Sequence, residues 1–175
     1  MDYLYHYGSP LGGITLSSNG RELTGLWFDG QKYFGSTLGS ERQEMDIPVF
    51  RQASEWLDRY FQGQDPGPVP PLRLEDTAFR KAVWRALGTI PYGQTATYGQ
   101  IAQKAAAEIG RTRVSARAAG SAVGRNPISL MIPCHRVIGA DGSLTGYAGG
   151  LERKQKLLLM EKENARKCLQ NSNNL

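Results

Sequence analysis

One of only two cysteines in this 175-residue chain stands beside one of only two histidines, in the stretch "IPCHRVIG" that carries Cys134, His135 and Arg136. The thiolate is the reactive form of cysteine, and a nearby imidazole or cation lowers the pKa of the thiol. Neighbouring residues of an extended segment point to opposite faces, so His135 reaches the sulfur only through a bridging water or a turn of the chain. An imidazole that moves protons also needs a third group to orient it, normally a carboxylate. The C-terminal run "LERKQKLLLMEKEN" offers Glu152, Glu161 and Glu163. A bare Cys-His pair is more often a buried thiol beside a capping histidine, so its chemistry has to be judged from its surroundings.

Those surroundings divide in two. Residues 12–28 hold two apolar-rich runs around Asn19-Gly20, a strong hairpin signal, and with "YLYHYG" before them they predict a small antiparallel sheet. From Pro48, the residues Val49, Phe50, Ala53, Trp56, Leu57, Tyr60 and Phe61 recur at helical spacing until Gly63, which predicts one amphipathic helix over 48–62. The segment "GQDPGPVPP" is a linker, and the charge changes sign there: 6 Lys/Arg against 11 Asp/Glu over residues 1–77, then 15 against 5 over 78–175. The expected division is an N-terminal α/β support domain over 1–70, a C-terminal domain over 71–168 and a polar, frayed tail over 169–175.

In the basic half, Thr77 is placed to cap a helix to about Leu87. Thr97-Tyr98-Gly99-Gln100 matches the capping box ahead of an Ala-rich helix to about Glu108. Gly110 ends that helix and Ser115 can cap a further one, "ARAAGSAVGR", made of small residues and two arginines. Two short helices joined by a turn, the second basic, suggest a helix-turn-helix, although small residues on a helix more often mean close packing. After Asn126-Pro127, "ISLMI" has the length and β-branching of a buried strand, which puts Cys134 just past it. The final helix has Leu151, Leu158 and Leu159 as inward candidates, with its bases opposite. The fold class expected is α+β: a small antiparallel sheet with a helix, then a mainly helical domain with a helix-turn-helix or winged-helix element.

Composition narrows the function further. The chain is 40% hydrophobic and 21% charged, as a globular protein is, and it has neither a basic leader with an apolar core nor a run of about 18 apolar residues. A cytoplasmic protein is expected. Two cysteines make no disulfide framework, and two histidines are too few for a zinc site, so neither metal nor cofactor is expected. The basic half is suited to a polyanion.

"IPCHRVIG" followed by "GYAGGLERKQKLL" resembles the active-site region of the O6-alkylguanine-DNA alkyltransferases, the methylated-DNA–protein-cysteine methyltransferases. The resemblance runs from "FRKAVWRALGTIPYGQTATYGQIA" to "LLLME", and more loosely into "GSPLGGITL". It implies that Cys134 is the alkyl acceptor, His135 a general base acting through a water, and Glu161 the carboxylate that orients the imidazole. It implies that Arg117 enters the base stack in place of an extruded nucleotide and that Tyr98 presses on the target phosphate and bonds the flipped guanine. Asn126 is then the hinge between recognition helix and active-site strand, with Ser115, Arg125 and Arg136 as further DNA contacts. The guanine pocket falls to Val137, Tyr147, Ala148 and Ser129, with backbone groups of Cys134.

On this resemblance the expected activity is stoichiometric transfer of an alkyl group from O6-alkylguanine, and also O4-alkylthymine, in double-stranded DNA, by a monomer without an obligate protein partner or membrane. Three departures stand out. The chain from Tyr98 to Arg117 is five residues longer than the commonest family pattern, which adds Arg111 and Arg113 to the turn. The N-terminal zinc ligands of some members have no counterpart. Ser129 stands where some members have proline, suggesting a roomier pocket for larger alkyl groups. The rival readings are an alkyltransferase-like lesion reader, which Cys134 argues against; a cysteine hydrolase, which leaves Arg117 unexplained; and a plain helix-turn-helix binder with a structural thiol.

Overall fold

The turn chemistry of Asn19 shapes the first sheet. In the computed structural model, which describes residues 1–174, β1 (Asp2–Ser9), β2 (Gly12–Ser18) and β3 (Leu23–Phe28) form an antiparallel meander. Asn19 Oδ1 accepts from the backbone N–H groups of Arg21 and Glu22 at 3.0 and 2.9 Å, closing the second turn, and Gly20 takes a φ of 105° there. A fourth strand, β4 (Arg42–Glu44), pairs parallel with β1, so the sheet is mixed rather than purely antiparallel. Its three residues are polar and exposed, and so carry no apolar alternation to read.

The predicted helix is α1 (Pro48–Phe61), and it buries Val49, Phe50, Ala53, Trp56, Leu57 and Tyr60. Phe50 stacks on Tyr5 of β1 with ring centroids 5.7 Å apart. Full burial of such a side chain contributes roughly 1.5–3 kcal/mol, so this one face accounts for much of the local stability.

Two compact units result, and the boundary differs from the expected one. The first comprises Met1–Glu75 and also Arg125–Met131. Leu23 N–H donates to Pro71 O and Arg73 N–H to Leu23 O, both at 2.8 Å, which carries the unit past residue 70. Leu26 N–H donates to Pro127 O and Ser129 N–H to Leu26 O, both at 2.9 Å, which docks residues 127–129 on the same edge of β3. The strand expected at "ISLMI" is reduced to one bridge at Ile128, because the chain turns through 129–131 with Leu130 at a φ of 68°.

The second unit comprises Asp76–Gly124 and the chain from Ile132 on. Its helices start where their caps are. Thr77 Oγ1 accepts from Arg80 N–H at 3.2 Å ahead of α2 (Ala78–Leu87). Thr97 and Gln100 form the full capping box of α3 (Tyr98–Glu108), at 3.2 and 2.9 Å. Ser115 Oγ accepts from Ala118 N–H at 3.1 Å ahead of α4 (Ala116–Gly124). The three helices pack on one another through buried Ala102, Ala105, Ala106, Ala119 and Ala122, and Trp84 Nε1 donates to Ala122 O at 2.9 Å. A two-stranded parallel ladder joins β5 (Ala96–Thr97) to β6 (Val137–Ile138).

The last helix, α5 (Leu151–Asn173), differs from expectation twice. It continues helical and exposed through the residues expected to fray from 169, of which Leu175 lies outside the described residues. Its inward face also differs from the expected one: Leu151 and Leu159 are 50% and 54% exposed and Leu158 is half-buried, whereas Lys154, Leu157 and Glu161 are buried. No helix among the described residues is long and apolar enough to cross a membrane.

Candidate active site

Pro133 ends the preceding turn, and Cys134–Arg136 forms a single turn of 3-10 helix rather than extended chain. Successive residues of such a turn are about 120° apart around its axis, instead of on opposite faces as in extended chain. Cys134 and His135 are both buried. Immediately after the turn, Val137 and Ile138 pair with Ala96 and Thr97, the residues that lead into α3. This ladder fixes Tyr98, the first residue of α3, relative to the thiol.

Glu161 is the carboxylate of the three candidates that reaches the imidazole; Glu152 and Glu163 are exposed. His135 Nε2 lies 2.5 Å from Glu161 Oε2, while Oε1 accepts from Arg136 Nε at 2.7 Å and from Gly93 N–H at 3.1 Å. Gly93 sits at a φ of 77°, and a Cβ there would lie 2.8 Å from Ala165 Cβ, so α5 approaches this loop only because the residue is glycine. Burial alone would raise the Glu161 pKa, but the bonds and charges of His135 and Arg136 outweigh it and bring it down to about 2. Burial depresses His135 despite Glu161, so the imidazole is neutral at pH 7.

Arg136, expected at the DNA surface, belongs to this network instead. It is 7% exposed, and its guanidinium also donates to Ile90 O at 2.8 Å. The tight pairing with Glu161 is what holds it inside.

A second cation was hidden by its helix. Lys154 is fully buried, and its Nζ donates to Thr145 O and Gly146 O at 3.1 and 3.3 Å. Tyr98 Oη donates to the same Thr145 O at 2.7 Å, and the Tyr98 ring lies 5.9 Å from the ammonium. The loop before α5 is thereby tied to α3. Burial lowers the Lys154 pKa, while a negative Cys134 raises it; by reciprocity the ammonium favours the thiolate. Burial, and to a lesser extent the Cys134 charge, raise both Tyr98 and Tyr147, so both phenols stay protonated donors. Tyr147 Oη is buried without a hydrogen-bond partner among the described residues.

The other expected site residues divide between the units. Ser115, Arg117 and half-buried Ala148 lie in the second unit, with Arg117 exposed on α4 and Val137 buried. Arg125, Asn126 and Ser129 lie in the first. Arg125 stacks its guanidinium 3.8 Å from the Tyr33 ring centroid, Asn126 Oδ1 accepts from Ile128 N–H at 3.0 Å, and the buried Ser129 hydroxyl lies 3.5 Å from Gln31 Oε1. Lys154 and Gly93 were missed by the sequence reading. The one signal for Lys154 was its spacing of three and seven residues from Leu157 and Glu161, which shares a helix face.

The folded pKa values of Glu161 and His135 both lie below their unfolded ones, so the unfolded chain binds more protons. Stability is therefore complete above about pH 6.5 and falls with decreasing pH, first as His135 would protonate and then as Glu161 is titrated between 4.5 and about 2. Glu161 alone accounts for at most about 3 kcal/mol. Urea midpoints at pH 8, 6.5, 5 and 4 should decrease in that order; a midpoint that rises on acidification would contradict the network.

Fold and site together place a buried cysteine next in sequence to an imidazole–carboxylate–guanidinium network inside a helix-turn-helix scaffold. Residues 78–163 match the family model for the 6-O-methylguanine DNA methyltransferase DNA binding domain, and residues 3–69 match that for its ribonuclease-like domain. A methylated-DNA–protein-cysteine methyltransferase of Haemophilus influenzae is 40% identical, over 91% of this chain and 86% of that protein. One from Methanosarcina acetivorans is 42% identical, over 91% and 97%. The crystal structure of Mycobacterium tuberculosis OGT in complex with DNA superimposes with a TM-score of 0.80 at 42% identity, covering 93% of this chain and 94% of that one. The chain belongs to the methylated-DNA–protein-cysteine methyltransferase family, enzymes that repair DNA by moving a methyl group onto one of their own cysteines.

Proposed function

We propose that this protein repairs O6-alkylguanine in double-stranded DNA by moving the alkyl group irreversibly onto Cys134, with O4-alkylthymine as a second substrate. The observation that carries this reading is the buried His135–Glu161–Arg136 network one residue from Cys134. His135 Nε2 is committed to Glu161, so the Cys134 proton passes through a water to Nδ1. The Lys154 ammonium stabilises the thiolate left behind.

Guanine O6 is packed within the base stack, so in-line attack on its alkyl carbon requires the nucleotide to be flipped out, at a cost of a few kcal/mol. Arg117, exposed on α4, fills the gap, and Ser115, exposed at the start of the same helix, contacts the DNA beside it. Tyr98 then exchanges its Thr145 carbonyl for the base. The sulfur–carbon bond forms as the carbon–O6 bond breaks, and the electron pair leaves on guanine, which needs a donor. Tyr98 Oη and the Ala148 N–H supply it, and Val137 and Tyr147 wall the pocket. The product is a thioether that no group of the site cleaves, so one copy of the chain repairs one base.

The test is intact-protein mass after mixing with a duplex carrying one O6-methylguanine. Wild type should gain one methylene per molecule, mapped to Cys134, and Cys134→Ala should gain nothing. Binding with no change of mass in the wild type would reduce the protein to a lesion reader.

A further inference from the structure

The turn between α3 and α4, residues 109–115, carries two arginines, Arg111 and Arg113, that have no place in the chemistry above. Its backbone is set rather than loose. Gly110 takes a φ of 70°, Arg111 N–H donates to Ala106 O at 2.9 Å, and Ser115 caps the helix that follows. Both arginines are exposed.

Their charge is not neutralised locally. Between Asp76 and Asp141 the sequence contains a single carboxylate, Glu108, and that one is engaged by Arg85 Nε. Among the described residues, no carboxylate forms an ion pair with Arg111, Arg113 or Arg117. Beside the turn lies an open groove of about 380 Å³, floored by the small residues Gly99, Ala102 and Ala106 and walled by Arg111 and Arg113. It begins one residue from Tyr98 and reaches Ala116, the neighbour of Arg117. A concave track with a small-residue floor and a cationic wall suits a sugar–phosphate strand, because guanidinium groups bind phosphate oxygens through paired N–H donors.

We propose that residues 109–115 form a phosphate arm, in which Arg111 and Arg113 each hold one backbone phosphate of the duplex while the groove receives the strand beside the target nucleotide. This rests on the DNA-repair reading. The arm contacts backbone alone, so it acts equally on damaged and undamaged DNA, whereas Arg117 acts on the flipped state.

The experiment compares wild type with Arg111→Gln/Arg113→Gln and Arg111→Lys/Arg113→Lys, by fluorescence anisotropy on a duplex with and without O6-methylguanine, over a salt series. In the glutamine variant the slope of log K against log salt should become shallower by about 1.8, or 0.9 per phosphate released. Affinity at low salt should fall by roughly tenfold or more, by the same factor on both duplexes, and the lysine variant should recover most of the slope. Unchanged thermal midpoint and iodoacetamide labelling of Cys134 establish that the fold is intact. Wild-type slope and affinity in the glutamine variant, with wild type repairing the duplex, would overturn the arm alone. A loss on the damaged duplex alone would overturn it as a contact to backbone. Wild type that neither binds nor repairs the duplex would remove the reading beneath it as well.

Discussion

Glu161→Ala is expected to leave a protein that is largely unfolded or markedly destabilised, and Glu161→Gln one that folds but repairs DNA about 10²- to 10³-fold more slowly. The alanine change removes the acceptor of two buried donors, His135 Nε2 and Arg136 Nε, and of the half-buried Gly93 N–H, and leaves the Arg136 guanidinium with Ile90 O. Breaking a buried pair in this way costs about 3–5 kcal/mol. A domain whose total stability is about 5–15 kcal/mol loses a large part of it. Glutamine keeps the shape but not the charge, so the imidazole loses the anion that orients it and balances its protonated form. The double variant Glu161→Met/Arg136→Met separates the two roles, because apolar replacement of a buried pair is often neutral for stability while the chemistry stays lost. Single-turnover repair by Glu161→Gln within twofold of wild type would remove Glu161 from the mechanism.

Lys154→Met should have the opposite profile, with little loss of stability and a large loss of thiol reactivity. The lysine is fully buried, and burial opposes its charge, so an apolar chain of similar length relieves a desolvation cost. The carbonyls it leaves, of Thr145 and Gly146, belong to exposed residues and can turn to water. What disappears is a positive charge that interacts with the Cys134 thiolate. The pH midpoint of Cys134 alkylation by iodoacetamide should move up, and repair at pH 7 should slow by about 10- to 100-fold, since each pKa unit is a tenfold change in thiolate. Exposed Cys168 would react too, so the comparison belongs in a Cys168→Ser background. Lys154→Arg should restore most of the midpoint. A midpoint identical to wild type in Lys154→Met would mean that the lysine only braces the loop.

Much of this site was legible before the structure. Local chemistry was read correctly wherever a residue acts on its own backbone, as with the caps at Thr77, Thr97 and Ser115 and the turn at Asn19. Apolar periodicity served for α1 because its buried face is apolar. It failed for α5, where the face turned inward is Lys154, Leu157 and Glu161 and leucines are left outside. An inward charge is stabilised by partners distant in sequence, and no periodicity measure contains them.

The sequence by itself determined the local elements, the Cys134–His135 pair, and the family those motifs belong to, because caps, turns and short motifs are interactions within a few residues. Only the tertiary structure decided that Glu161, which the resemblance already implied, also holds Arg136 as an internal clamp, that Lys154 is buried where the Cys134 charge acts on it, and that residues 125–131 join the first unit. Each of these depends on bringing together groups far apart along the chain, and burial sets the strength of a charge by what surrounds it in space.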